Sequence, residues 1–456
     1  MRRAALLASA LLAGCATYRP LVLSTDDALI HEVGRLSVDV ALMPDAALAA
    51  HRFDPSDGLD ITEVAMLAVA NNPELRTARA DAGVTRAQAF SAGLLPDPQL
   101  ALTRETAMGS PAGATTAFTA GLTLDVAALL ARSSTHAAAD AESRKTDLDL
   151  LWQEWQTVAK ARLLFVRLHA LDESLDVLGT QRDLLRRRVA DAQRAVDAGL
   201  LSSDAATPQL TALQDASRQF DELARQRNQA RHDLAALLGV APELTLTLVG
   251  SPDVATLDDT GVRDALALAP RRRPDLLALQ AGFEAQDDRY RGALRAQFPA
   301  ITVGPTRGRD TSDVNTVGLS LGLTLPLFNR NRGNIAIELA TRDKLRVDYQ
   351  QRLDAATIES HRLLQEQALL TRQLGGIDAS LPALALAAER AAKALRANDI
   401  DALAATAVES ALLARRLERI ATLQALREQA IALRALLGNP SNPPPRAGAS
   451  TLGKSS

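Results

Sequence analysis

Few side chains in this 456-residue sequence have the type and spacing to do chemistry. Its one cysteine, Cys15, ends Leu12-Ala13-Gly14-Cys15, behind a basic pair (Arg2, Arg3) and an apolar run from Ala4 to Ala13. A lone thiol has no internal disulfide partner, but one standing where small residues lead to a cleavage point can be acylated. The six histidines (His31, His51, His136, His169, His232 and His361) contain no pair at metal-binding helical spacing. No nucleophile, base and orienting group occur together, so neither an enzyme, a cofactor nor a metal is expected. What remains are two polar reversals between long apolar repeats: Gly199-Leu200-Leu201-Ser202-Ser203-Asp204 and Asn398-Asp399-Ile400-Asp401.

The elements around these candidates begin with an export signal over residues 1–14. Its ten or so apolar residues are too few for a bilayer-spanning helix, which needs roughly 20. The segment is therefore expected to be cleaved. The pattern resembles a bacterial lipobox, in which Cys15 becomes the acylated, palmitate-bearing first residue; the alternative is a non-lipidated signal peptide. Ala16, rather than Asp, follows the cysteine, which in lipoproteins points to the outer membrane. No later apolar run reaches 18 residues, so an integral membrane protein of this sequence must be a β-barrel. Aromatics are only 3%, and Ala and Leu dominate the apolar count, which favours long, closely packed helices. The formal charge is -3, or -5 without Arg2 and Arg3, and no nucleic-acid partner is expected.

Residues 15–58 show no sustained period and read as an irregular segment. A helix is predicted from Leu59, capped by Asp60 or Thr62, and a second from Glu74 to Gly93, stopped by Leu95-Pro96-Asp97-Pro98. Strands are predicted at about 99–106, 115–126, 300–306 and 315–325. In the last, Val317, Leu319, Leu321, Leu323 and Leu325 alternate with Thr316, Gly318, Ser320, Gly322 and Thr324. A face that is small, neutral and polar opposite an apolar one suits a barrel wall with lipid outside and a wet lumen; an ordinary half-buried strand has the same period. Pro326 ends this strand, and Asn329 or Asn331 caps the next helix.

Between Ala127 and Ala198 the only glycine is Gly179, and there is no proline. One helix of about 105 Å is predicted there. Leu164, Leu168, Leu171, Leu175, Leu178, Leu185, Val189, Ala192 and Val196 keep heptad spacing, interrupted by Arg182. A returning helix is expected from about Ala205 to Leu238, with Pro208 lengthening the reversal. The pattern then recurs: Arg273-Pro274-Asp275-Leu276 echoes Asn72-Pro73-Glu74-Leu75, Phe298-Pro299 echoes Leu95-Pro96, and Leu436-Leu437-Gly438 echoes Leu237-Leu238-Gly239. The offsets are 201, 203 and 199, so residues 59–250 and 251–438 are a duplication. In the second copy the long helix, Asn334 to Arg396, is expected to be disturbed at Gly375-Gly376 and Pro382. Leu423, Leu426, Ala430, Leu433 and Leu437 continue the heptad on its return. Residues 439–456 read as a disordered tail.

Four strands cannot close a barrel, and an open edge in lipid leaves unpaired backbone groups that cost several kcal/mol each. Three copies supply twelve strands and twelve long helices. The predicted fold class is mainly α with a membrane β-barrel: a duplicated helix-strand-strand-long helix-helix repeat, forming a trimeric 12-stranded β-barrel continued by a 12-helix α-barrel.

These features, with Ala92-Gly93-Leu94-Leu95-Pro96-Asp97-Pro98 and the run from Leu323 to Arg332, resemble the TolC-type outer membrane factor family, in a lipoprotein-type member. The resemblance covers nearly the whole chain and implies a homotrimer spanning the outer membrane, with most of each chain in the periplasm. It implies docking onto a periplasmic adaptor (membrane fusion) protein and an inner-membrane pump, and passive export outward. It further places Gly199, Leu200, Ser202, Asp204, Asn398, Asp399 and Ile400 at a periplasmic tip, where the adaptor docks. Asp399 and Asp401 would line a pore constriction favouring cations, or else only cap the returning helix. Phe118, Phe298 and Phe328 fit either interfacial girdles or internal packing. The first copy departs from the family pattern in lacking a counterpart of Pro326. A periplasmic lipid-anchored coiled-coil adaptor or scaffold is the alternative; it accounts for the helices but not for the strand pairs. A metal cargo fits the family in general, but no His or Cys cluster supports it.

Overall fold

The computed structural model describes residues 18–438 except 107, 110–112, 114, 201, 255 and 398, and the side chain of Ala205. The predicted signal peptide, Cys15, Asn398 and the tail after Gly438 lie outside the described residues.

Local sequence sets the helix starts. Helix α2 (Ile61–Asn71) follows a short α1 (Ala46–Ala50) and opens on a capping box. The Asp60 carboxylate accepts from the Thr62 and Glu63 amides, both at 2.7 Å, while Glu63 accepts from the Asp60 amide at 2.9 Å. Helix α3 (Pro73–Gly93) begins with Pro at its first position, where its missing N–H costs nothing. Asn72 accepts from the Leu75 amide and donates to the Leu237 carbonyl at 2.9 Å, pinning the start of α3 to the end of the first returning helix. Gly239 ends that helix at φ +63°, with Asn71 O only 2.6 Å from where a Cβ would stand.

Helix α4 (Val126–Asp197) has 72 residues, about 108 Å of rise. Asp125 caps it directly, accepting from the Ala128 amide, so the first copy passes from strand to helix without a proline. Helix α5 (Ser203–Leu238) returns. Its sequence-based start at Ala205 and longer reversal are corrected: α5 begins at Ser203 and runs through Pro208, and the connection (Ala198 to Ser202) is as short as its counterpart (Ala397 to Asp401). After α6 (Asp259–Arg272) and α7 (Pro274–Arg295) come α8 (Arg332–Arg396) and α9 (Ala402–Leu437). Helix α8 is continuous through Gly375-Gly376 and Pro382, against expectation. The neighbouring α9 supports this segment. Arg415 donates to Ser380 Oγ at 2.8 Å and to the Gly376 carbonyl at 3.3 Å, and Arg419 to Asp378 at 2.7 Å. At the joint before α8, Asn329 and Asn331 do not cap with their side chains onto the helix. Asn329 instead accepts from the Asn331 amide, and left-handed Asn331 (φ +56°) donates to Ala293 O at 2.9 Å, tying the joint to α7.

Strands β1 (Gln99–Glu105), β2 (Ala117–Asp125), β3 (Ala300–Arg309) and β4 (Asn315–Thr324) form one antiparallel sheet in the order β1-β2-β3-β4. The helices joined to them repeat that order: α3 packs on α4, α4 on α7, and α7 on α8. Beyond them the row is α5, α4, α9, α8. Every layer is therefore four elements wide, with unpartnered flanks.

The main core lies at mid-height, not under the sheet. There α2, buried all round, packs against Phe165, Leu168, Leu171, Leu234 and Leu238. Leu36 and Leu48 join this core, so the N-terminal segment, irregular in sequence, wraps the repeat rather than trailing from it. A smaller counterpart in the second copy joins Val262, Leu363, Leu433 and Leu437. The polar break in the α4 heptad is filled by stacking, with the Arg182 guanidinium 3.9 Å from the centre of the Phe220 ring. The chain's two tryptophans share one turn of α4 and seam the copies together: Trp152 faces Arg273 and Arg352, and Trp155 lies against Gly438.

Candidate functional site

The sheet separates its residues cleanly by face. Register aligns Leu124, Val303 and Leu321 in one row, and Leu122 with Leu100; Pro305 lies opposite Leu319 and Ile301 opposite Leu323. Pleating puts all of these on one side. The side chains of β4 there are bare: Leu319 is 73% and Leu321 62% exposed. The other side carries Thr119, Gly121, Thr302, Thr306, Gly318, Ser320 and Gly322. The β2–β3 ladder is interrupted opposite Gly304 and Pro305, where proline has no N–H to give. At Gly304 a Cβ would sit 1.6 Å from Leu122 O, so only glycine fits. Phe118 (49% exposed) lies at the hairpin end of the sheet, and Phe298 (68%) and Phe328 (93%) at the helical end. All three are exposed in the single chain, Phe118 the least. Leu95-Pro96 and Phe298-Pro299 stand just before β1 and β3, where helix gives way to strand.

At the far end of the helices the two reversals are built alike. The Leu200 amide donates to Ala195 O at 2.8 Å, and the Asp399 amide to Ala394 O at 2.9 Å, a bond that closes the last helical turn. Gly199 takes φ +72°. The copies then diverge: exposed Leu200 occupies the place that Asp399 holds in the other copy, so Asp399 has no acidic counterpart there. Asp401 accepts from the Ala404 amide at 2.7 Å and is the N-cap of α9. Asp399 and Asp401 are both exposed, as are Ser202 and Asp204, and Ile400 is half-buried.

Just above the tip, sequence patterns missed a tie between the two hairpins. Arg188 of α4 makes a two-pronged bond to Glu409 of α9 (2.5 and 2.7 Å) and a third to Thr406 Oγ1 at 3.2 Å. Both ends are mostly buried, at 15% and 12% side-chain exposure. Arg188→Ala is expected to weaken local closure by about 2–3 kcal/mol, between surface and buried ion-pair values. Hydrogen exchange checks this: amides of 185–197 and 402–412 should exchange on the order of thirtyfold faster or more, with the α2 region unchanged.

A second cluster that sequence reasoning missed lies where α7 begins. Arg273, 1% exposed, pairs with Asp275 through both carboxylate oxygens (3.0 and 2.5 Å). Arg352 of α8 binds the same carboxylate at 2.6 Å, and both guanidinium groups face Trp152, at 5.3 and 5.7 Å. Burial pushes the Asp275 carboxyl up, but the two arginines outweigh it and hold it below the usual carboxylate value. At Glu154 the balance is opposite. Burial raises it, and the single Arg79 contact at 2.9 Å does not compensate.

No family model matches the chain. The cobalt-zinc-cadmium resistance protein CzcC of Cupriavidus metallidurans is 26% identical over 295 residues. That match covers 62% of this chain and 66% of CzcC, so the chain spans just under two thirds of that relative's length. Among solved structures, the outer membrane protein VceC of Vibrio cholerae superposes with a TM-score of 0.71 at 15% identity, covering 86% of this chain and 99% of VceC. The CmeC outer membrane channel of Campylobacter jejuni gives 0.71 at 14% identity, covering 93% and 94%. At these identities the likeness establishes the fold: the chain has the fold of TolC-type outer membrane channels, as its motifs imply.

Proposed function

We propose that this chain, having the fold of outer membrane channels, is the outer membrane component of a tripartite efflux or secretion system. In this reading it is a passive conduit from periplasm to exterior, a homotrimer anchored by acylated Cys15, docking at its tip on a periplasmic adaptor and driven by an inner-membrane pump. One observation carries the reading. Leucines of β1, β2 and β4 lie exposed on one face, β2 and β4 carry mostly small hydroxyls and glycines on the other, and these two strands lead into the long helices α4 and α8, in a sheet whose edge strands β1 and β4 have no further strand beside them among the described residues. In water such a face and such edges are liabilities. In a bilayer the leucines meet lipid, and the edges must meet other copies. Three copies give twelve strands with the threefold closure that the four-wide helix rows also need. Apart from Glu105 and Asp125 at its ends, the lumen face of the described strands carries only hydroxyls, one amide and small residues, and in this reading selection of cargo falls to the pump.

A lipid-anchored adaptor would use the helices but give the sheet no role. Isolation from outer membranes tests the choice: a trimer with β signal in circular dichroism is expected, and a monomer without it refutes the channel. At the tip, Asp399 and Asp401 would recur three times around one axis. Replacing both with Ala is expected to lower cation selectivity in planar bilayers. Unchanged selectivity would leave Asp401 as a cap alone.

A further inference from the structure

The apolar face of the sheet changes character at its hairpin end. Register aligns Arg104, Phe118 and Arg309 in the last row, and Arg307 stands beside Ala120 in the row below. All three arginines are exposed and lie on the same side as Leu319 and Leu321. Arg309 reaches Asp313 at 3.0 Å. Among the described residues, Arg104 and Arg307 have no carboxylate within ion-pair distance. Glu105 alternates to the opposite face, and Asp310 is occupied by the Ser312 and Val314 amides of the hairpin. Neighbouring strands lie about 4.8 Å apart and alternate residues on one strand about 6.7 Å apart. The guanidinium groups therefore form a compact basic band immediately above a wholly apolar one.

A guanidinium on a lipid-facing surface is costly at the bilayer centre and nearly free at its boundary. A position at the rim explains why these arginines are tolerated. It does not explain three of them on one face with two lacking acidic partners. Forked donors of this kind suit phosphate oxygens, and Phe118 between Arg104 and Arg309 offers an apolar contact at headgroup level. We propose that Arg104, Arg307 and Arg309 form a docking row for the phosphate groups of a phosphorylated glycolipid in the outer leaflet. The inference rests on the channel reading, which sets the sheet across the outer membrane with its hairpin ends outward.

The full-length protein is purified from outer membranes beside R104Q/R307Q and R104K/R307K, and each is washed in detergent and assayed for retained lipid A per chain. Retention is expected to fall about fivefold for each arginine replaced by Gln, the scale for one basic side chain at a charged lipid surface. The Lys variant should retain most of it. Wild-type protein offered dephosphorylated lipid A should lose retention to the same degree, an arm that needs no variant to fold. Inorganic phosphate should not displace the lipid. Equal retention by wild type and R104Q/R307Q, or undiminished binding of dephosphorylated lipid, overturns the row. If wild type forms no β-rich trimer in zwitterionic lipid, the channel reading itself fails. A normal trimer with equal retention refutes the docking row alone.

Discussion

Asp275→Ala is expected to destabilise the folded chain by about 3–5 kcal/mol, the cost of leaving a buried guanidinium without its counterion. Arg273 cannot swing to water, because at 1% exposure it is enclosed between the start of α7 and Trp152. Its Nη1 already lacks a partner among the described residues. Arg352, half-exposed, can turn outward and will not share the penalty equally. Urea unfolding monitored by circular dichroism measures the loss. The double change R273M/D275L should recover most of it, since the cost lies in breaking the pair rather than in lacking it. Equal destabilisation in both would show that packing, not charge, holds the joint.

The same carboxylate predicts a pH dependence. Its folded-state pKa lies below the unfolded one, so the unfolded chain binds that proton more tightly. The stabilisation is present above the ordinary aspartate value, near 4, and is lost as pH falls through the depressed folded value. Glu154, raised by burial, contributes with the opposite sign: protonation on acidification favours the folded chain. In Asp275→Asn the acid-side loss due to this group should vanish, and in Glu154→Gln the net acid-side loss should grow, because the gain that Glu154 gives on protonation is gone.

Period-two alternation located β2 and β4 in the sequence, and turn residues and the duplication located β1 and β3, all to within about three residues at either end, because a two-faced strand shows itself in every second residue. Asn72-Pro73 and Arg273-Pro274 were legible as echoes of the duplication, and in the structure both begin helices with proline at the first position. What local rules misjudged were Pro208, Gly375-Gly376 and Pro382. Each weakens its own turn, but α8 is also held by Arg415 and Arg419 from α9, some forty residues away in sequence. The Arg273 cluster was illegible for the same reason. Its motif was visible, yet Trp152 approaches only when the two copies pack, and Arg352 only when α8 folds back along α7. Arg188 and Glu409, more than two hundred residues apart, gave no signal at all.

The second large expected effect tests the face assignment itself. Leu321 lies in the row with Val303 and Leu124, between the aromatic residues at the two ends of the sheet, and is 62% exposed in the single chain. If that face meets lipid, Leu321→Arg places a charge near the midplane at a cost of about 2–4 kcal/mol per chain. The closed trimer would bear this cost three times. Its neighbour Ser320 points to the opposite side, opposite Gly304 in β3. Ser320→Arg should therefore assemble, and show itself as lowered single-channel conductance and a shift towards anions. Trimer yield from outer membranes separates the two, with L321R severely depleted and S320R near wild type. Soluble expression with refolding into detergent distinguishes a failure to insert from a failure to fold, because the mid-height core around Phe165 and Leu238 does not involve either position. If L321R assembled normally while S320R did not, the faces would be reversed and the bare leucines would line the interior. A channel wall of that kind would repel water, so the reversal would remove the conduit as well as the orientation.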